Sequence, residues 1–478
     1  MTRFVTLTIR LGLLIGFLSG MAVLALLASI PLAKMESTQH LPGIDNTQPL
    51  AIDNVNVITM VGNKVLRSRQ IVIEKGRIKD IRPAGSPVDA NVAVVDANDA
   101  WILPGLFDMH AHVYDRSYQV LSLTYGVTTV RNMAGFPFHL RWAEELRNGE
   151  WLGSNILNAS PILNSVENAD PLGQVAVSGP DHARQLVAQY KDEGWDYIKV
   201  YEDLPADTFR AILEEAKAQG LPVVGHIPYS VVDDAYELAA EMRTLEHAEE
   251  LYDGPLDYSF DRKELENTAQ HLAELGATVT PTLMIFDQLT QISSRKEAYL
   301  DELPMEYINP LVKIIMNHTD GKRWLSADDK VARHNAEQNE FHKQIVRSLQ
   351  RHRVNMVLGS DSGAIYAIQG LSTHEEMNLM VEAGLSPWSV LRTATSKAAK
   401  AAGVDDTHGT IEIGKTADLL MVWENPLFDL SVLREPRAVV KNGQYLNRER
   451  ILELRILSLK HSSLYNTLGR LLEFQFYR

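Results

Sequence analysis

Two hydrophobic rhythms alternate along most of the chain. Over residues 50–96 apolar and polar positions alternate, Val and Ile dominate, and Gly62-Asn63, Lys75-Gly76 and Pro83 to Pro87 break the run. A period of two with turn residues between short runs predicts strands joined by hairpin-like turns. The same rhythm returns at 417–423 and 437–446, where Asn442-Gly443 predicts a tight hairpin. Two β-rich pieces flanking a long middle predict one small sandwich-like sheet unit built from both, residues 50–102 with 409–447.

The middle, 103–408, reads differently. Short apolar runs alternate with amphipathic stretches of helical period, the signature of βα units around a parallel sheet. Candidate strands are 105–112, 126–133, 155–163, 196–201, 222–228, 243–248, 278–286 and 354–361. Between two of them, Phe209, Ile212, Leu213 and Ala216 fall at i, i+3, i+4, i+7 and the pattern stops at Gly220, which predicts a helix over 205–220. Eight strands in this arrangement predict an α/β fold, a (β/α)8 TIM barrel. A doubly wound open sheet is the rival, but no Gly-rich phosphate loop follows any strand.

The flanks carry their own signals. Residues 11–33 contain no charge and would span about 35 Å as a helix, enough for a bilayer core, with Arg3 and Arg10 ahead of them. Residues 1–34 are therefore expected to be a transmembrane anchor or a cleaved signal segment. Either way the rest is exported, facing the periplasm or exterior if anchored and free if cleaved. Residues 35–49 read as a polar tether. The tail, 448–478, is basic and amphipathic, which fits a helix packed on the barrel, a subunit interface or a membrane-surface element.

Composition narrows the chemistry. With 46 basic and 61 acidic residues the net charge is −15, which argues against nucleic acid as partner. The chain has no cysteine, so disulfides, thiolate metal sites and thiol nucleophiles are excluded. Any metal must be held by nitrogen and oxygen.

Such donors stand at the ends of the predicted strands: His110 and His112, Lys199, His226, His247 and Asp361. Residues i and i+2 of a strand face the same way, so His110 and His112 can address one ion. Taken singly, each has an ordinary reading: a solvated histidine, a lysine snorkelling to the rim, an aspartate capping the next helix. Together they matter, because all C-terminal strand ends of a barrel meet at one mouth. His139, His182, His271, His318, His334, His342, His352, His408 and His461 read as exposed helical or loop residues. Tyr201 and Tyr229 could line the mouth, Arg131 could pair with a substrate carboxylate, and His374 opens the helix after strand eight. Ser360 and Ser362 flank Asp361 without the nucleophile elbow that a serine triad requires.

PGLFDMHAH, YGVTTVRNM and GSD, with GTIEIGKTADLLMVWENPL (409–427) and AVVKNGQYL (438–446), resemble the signatures of the metal-dependent amidohydrolase superfamily, in its imidazolonepropionase- and prolidase-like branch. The resemblance implies that His110, His112 and Asp361 hold one ion and His226 and His247 a second, with Lys199 carboxylated as the bridge. A mononuclear centre of His110, His112, His226 and Asp361 is the variant. Two divalent ions, Zn2+ first among them, suit such donors. The implied reaction is attack of a metal-bridging hydroxide on the carbonyl of a small amide or dipeptide, Xaa-Pro types included, with Asp361 as the catalytic proton carrier. Hydrolysis of a cyclic amide or imidazolone-like ring is the second reading, and a non-catalytic, membrane-tethered binding barrel the third. A homo-oligomer is compatible with either enzyme reading. Asn132 departs from the family, where aspartate often follows the arginine.

Overall fold

The computed structural model describes residues 24–477, without the side chains of 232–236 and 239. Its larger sheet is parallel and runs in chain order. Leu106–Ala111, Val127–Asn132, Asn155–Ser165, Tyr197–Val200, Val223–Gly225, Thr244–Glu246, Thr278–Thr280 and Asn355–Met356 each pair with the next. These are the eight predicted strands, and we number them one to eight. The sheet curls until its edges meet. Met109 N donates to Leu358 O, Asp361 N to His110 O and His112 N to Ser362 O, at 2.7–2.8 Å, joining strand one to the segment after strand eight. The result is a TIM-barrel-like α/β core. Strands one, two, four, five and six are buried along their whole length, as expected when both faces of a parallel sheet are covered.

The second sheet draws on both flanks. Its order is Gln444–Asn447, Ala438–Lys441, Leu419–Val422, Trp101–Pro104, Leu50–Ile58, Val65–Glu74 and Arg77–Pro83, with Ala93–Asp96 also beside Leu50–Ile58. The Asn442-Gly443 hairpin forms as the sequence predicts, both residues at positive φ. Inward residues including Ile52, Val57, Ile71, Ile102, Leu419 and Val440 make a separate core. Lys441 Nζ, 2% exposed as a residue, bonds Asp418 Oδ2 at 2.7 Å and Asn155 Oδ1 of strand three at 2.8 Å, so a buried ion pair ties the sheet to the barrel.

Several expectations need correction. Strand seven ends at Thr280 rather than running to 286. Pro281 supplies no donor to a ladder, Thr282 takes a left-handed φ of 49°, and Leu283–Arg295 is a helix. The 35–49 segment is no loose tether: Leu41 is buried, Ile44 N bonds Gly149 O, Leu152 N bonds Pro42 O, and Asn46 Nδ2 bonds Asn442 O. The tail, by contrast, takes the first form its sequence allowed: two helices, Arg448–Leu457 and Leu464–Tyr477, both packed on the protein. Arg470 is 1% exposed, bonded to Glu36 at 2.6 Å and 3.8 Å from Asp115. Of the anchor or signal segment, residues 1–23 lie outside the described residues. Among the described residues no helix is long and apolar enough to cross a membrane.

Candidate metal centre

Strand one delivers its two histidines side by side, ring centroids 5.6 Å apart. The segment after strand eight brings Asp361 to them: its Oδ1 is 2.9 Å from His112 Nε2 and 3.5 Å from His110 Nε2. That approach requires glycine at 359, because a Cβ there would stand 2.7 Å from His110 Cβ and 2.5 Å from the Thr280 methyl. Asp361 and His247 both take positive φ, 55° and 68°. Non-glycine residues in this region are uncommon, and such strain collects where a side chain must be aimed.

His247 and His226 complete the ring. The His247 centroid lies 4.7 Å from that of His110 and 4.8 Å from that of His226. Donor atoms of His110, His247 and Asp361, all buried, lie within 4.8 Å of one another. Lys199 of strand four is 1% exposed and its Nζ has no hydrogen-bond partner. Five of the six predicted donors thus form one ring-to-ring or donor-to-donor chain, and Lys199 is coupled to it electrostatically.

The electrostatics favour ligand-ready donors. Burial lowers His110 to about 4, against the pull of Asp361 and Glu246, and lowers His247 as well. Burial also pushes the Lys199 ammonium down to about 8, opposed by Glu246 and Asp361. Burial alone would raise Asp361, but His110 and His112 keep it far below the usual carboxylate range. His226 goes the other way: despite burial, Glu250 and Glu202 lift it to about 9, their oxygens 2.7 and 3.0 Å from its Nδ1. Those carboxylates hold the proton on Nδ1 and leave Nε2 as the ligating nitrogen.

The donor set fits a divalent cation. Asp361 Oδ1 and Lys199 Nζ are buried polar atoms without a directed hydrogen bond, which is costly unless a further group satisfies them. All available donors are N and O.

The remaining predicted residues separate. Tyr201 lies against His226, centroids 4.2 Å apart, and Tyr229 is 42% exposed; both stand on the strand-four and strand-five side of the centre. Arg131 is not on the mouth. It is fully buried behind the histidines, where Nε donates to Met109 O at 2.6 Å, Nη1 to Thr244 Oγ1 at 2.9 Å and Nη2 to Glu246 Oε1 at 2.8 Å. A buried guanidinium so engaged orients its neighbours rather than a substrate. His374 is buried too, its Nε2 2.8 Å from Tyr125 O, away from the ligands. Asn132 accepts from Val113 N and donates to Ala134 O, tying the loops after strands one and two together.

Three groups of carboxylates escaped the sequence reading. Glu246 Oε2 takes the Nδ1 proton of His110 at 2.8 Å, fixing the tautomer that presents Nε2 inward. Asp108 accepts from Ser360 Oγ, Ser360 N and Thr373 Oγ1, at 2.5–3.0 Å, and so sets the backbone that carries Asp361. Glu202 and Glu250 flank His226. His139 and His342, expected at the surface, are fully buried.

Histidines, a lysine and an aspartate gathered at the strand ends of a barrel-like α/β core stand where barrel enzymes carry their active sites. The chain belongs to the amidohydrolase family, whose model matches residues 101–446. Its members hydrolyse C–N bonds. An adenine deaminase from Chelativorans sp. is 29% identical over 217 residues, 41% of this chain but only 35% of that enzyme, so the match spans about a third of that relative. The imidazolonepropionase of Acinetobacter baumannii is 24% identical over 386 residues, 75% of this chain and 88% of that one. The crystal structure of a Xaa-Pro dipeptidase with bound methionine superposes with a TM-score of 0.64 over 84% of this chain and all of that one; at 21% identity this speaks for the fold.

Proposed function

We propose that the chain is a metal-dependent hydrolase of small amides or dipeptides, Xaa-Pro types included. The observation that carries the reading is the convergence of buried His110, His226, His247 and Asp361 with half-buried His112, coupled electrostatically to a buried Lys199 whose Nζ has no hydrogen-bond partner. His110, His112 and Asp361 would hold one divalent ion, Zn2+ being the natural choice, and His226 and His247 a second. When bound, such ions polarise a carbonyl and acidify water. Lys199 supports the two-ion form. Lowered to about 8, its amine is partly neutral near neutral pH and can add to CO2, forming the N–C bond and releasing a proton. The carbamate replaces a cation with an anion where cations must bind.

Asp361 carries the proton. Its carboxylate, held in the charged form by His110 and His112, takes a proton from the attacking water at Oδ and returns it to the leaving nitrogen. Glu246 and Arg131 keep His110 oriented throughout, and the Glu202–Glu250 pair does the same for His226. Tyr201 and Tyr229 offer the substrate an aromatic wall with two hydroxyls.

The test is a screen of metal-reconstituted protein against acyl-amino acids, dipeptides and lactams. Hydrolysis of an acyclic amide that chelation abolishes supports the proposal. Turnover of ring amides alone transfers it to the second reading, which the long match to an imidazolonepropionase favours.

A further inference from the structure

The described end of the apolar stretch 11–33 is committed to the protein. Residues 24–34 are a helix that docks on Leu464–Tyr477, the last helix of the chain. Ser29 and Ala33 are 0% and 4% exposed, and a Cβ on Gly469 would stand 2.2 Å from Ser29 O and 3.0 Å from Ala33 Cβ. Tyr465 bonds Ala25 O at one end and Lys34 pairs with Glu473 at the other, so the two helices run side by side in the same direction. Beyond them Glu36 receives Arg470, Arg116 and Asn466 at 2.6–3.2 Å.

Ahead of this docked helix the sequence carries no charge over residues 11–23. The end where both helices start is apolar: Leu24 is 64% exposed, Leu464 51%, with Leu26, Leu27 and Tyr465 also exposed. Lys460, exposed, precedes it. We infer that Leu24, Leu26, Leu27, Leu464 and Tyr465 form a seat in the headgroup–acyl boundary of a lipid bilayer, with the barrel on the non-cytoplasmic side. Exposed leucines gain by burial there, tyrosine suits the boundary, and a lysine beside it meets anionic headgroups.

The seat also positions the mouth. Arg470 on the same helix donates to Tyr114 O, and Phe474 packs on Phe136, centroids 4.8 Å apart. Tyr114 and Phe136 lie just past strands one and two, and the Tyr114 ring stacks on His112 at 6.4 Å. The helix that carries the seat therefore also braces the rim of the strand-end opening, farther along its length.

Because the chain has no cysteine, single-cysteine variants can be labelled cleanly. Full-length Leu27→Cys, Leu464→Cys and Phe428→Cys proteins would carry an environment-sensitive fluorophore and be mixed with phosphatidylethanolamine–phosphatidylglycerol vesicles containing nitroxide-labelled lipid. Phe428, 87% exposed on the second-sheet side, is the control. Labels at 27 and 464 should be quenched about three-fold more than the label at 428. Quenching at 27 alone reduces the seat to an N-terminal tether and overturns the inference. A blue shift at 464 without lipid quenching means that a second protein copy covers it, which overturns it too. Unchanged melting of the unlabelled variants confirms that the helices remain docked.

Discussion

Glu246→Gln separates what the buried Arg131–Glu246–His110 chain does for stability from what it does for metal. All three side chains are at most 2% exposed, and Glu246 is held in its charged form, against burial, by Arg131 and by the His110 hydrogen bond. The amide keeps the shape but leaves the guanidinium without its counter-charge. Breaking a buried pair from one side costs about 3–5 kcal/mol, so the melting temperature and the denaturant midpoint should fall clearly. The amide also presents either an N–H or a C=O to His110 Nδ1, so the inward tautomer is no longer fixed. Loss of such an outer contact typically lowers metal affinity or activity about 10–100-fold. Arg131→Met with Glu246→Met removes the charges together. It should regain much of the stability yet keep the weak metal binding, because nothing then orients His110. Urea melts and competitive zinc titration with a chromophoric chelator read the two quantities separately. If Glu246→Gln costs under about 1 kcal/mol and leaves zinc affinity intact, the orienting role is wrong.

Lys199→Ala should lower activity by about a hundredfold and reduce bound metal, with partial recovery on adding a short carboxylic acid; full metal content by elemental analysis would refute the bridging role. Asp361→Asn should lower kcat far more than it changes KM, since it removes proton carrier and ligand together, and an unchanged kcat in steady-state assays would refute the proton-carrying role. Glu376, buried with Oε1 unpartnered, is raised to about 8 by burial, against hydrogen bonds from Met284 N and Leu283 N and with help from Asp108. A folded carboxyl raised above its unfolded value of 4.5 stabilises fully below that value and loses the contribution as pH rises to about 8. Between pH 5 and 9, chemical denaturation should therefore show stability falling, with a ceiling on the order of 5 kcal/mol, and a flatter profile in Glu376→Gln. Identical slopes in the two proteins would contradict it.

The six donors were legible because strand periodicity and barrel topology are local rules whose consequences are global. An i, i+2 histidine pair or a polar residue ending an apolar run has one place to go once strand ends converge. Glu246 and Asp108 were not legible. Asp108 reads as one more residue of strand one, and its partner Ser360 lies 252 positions away. Glu249 and Glu250 look like the acidic first turn of a helix, which they are, and only the fold sets Glu250 against His226. The buried histidines, by contrast, carried a readable signal. His342 precedes Ile345, Val346 and Leu349 by three, four and seven residues, and His139 stands in the same relation to Trp142, Ala143 and Leu146. Both lie on the apolar stripe of their helices, and helical spacing should have overruled the polarity of imidazole.

The described end of the N-terminal run shows spacing at work beside hydropathy. Twenty-three uncharged residues read as one membrane segment when only their mean apolarity is weighed. Within them Ser29 and Ala33 stand four apart, and in the last helix Gly469 faces both. Small residues at that interval let helix backbones approach closely and mark a helix–helix contact as readily as a lipid-facing surface. The neighbouring leucines point elsewhere: Leu26, Leu27 and Leu32 are exposed where Ser29 and Ala33 are buried. A purely lipid-facing helix has no need of that asymmetry. Residues 24–34 therefore commit their small-residue face to the protein and leave their leucine face exposed, a division set by the tail helix more than 430 residues away.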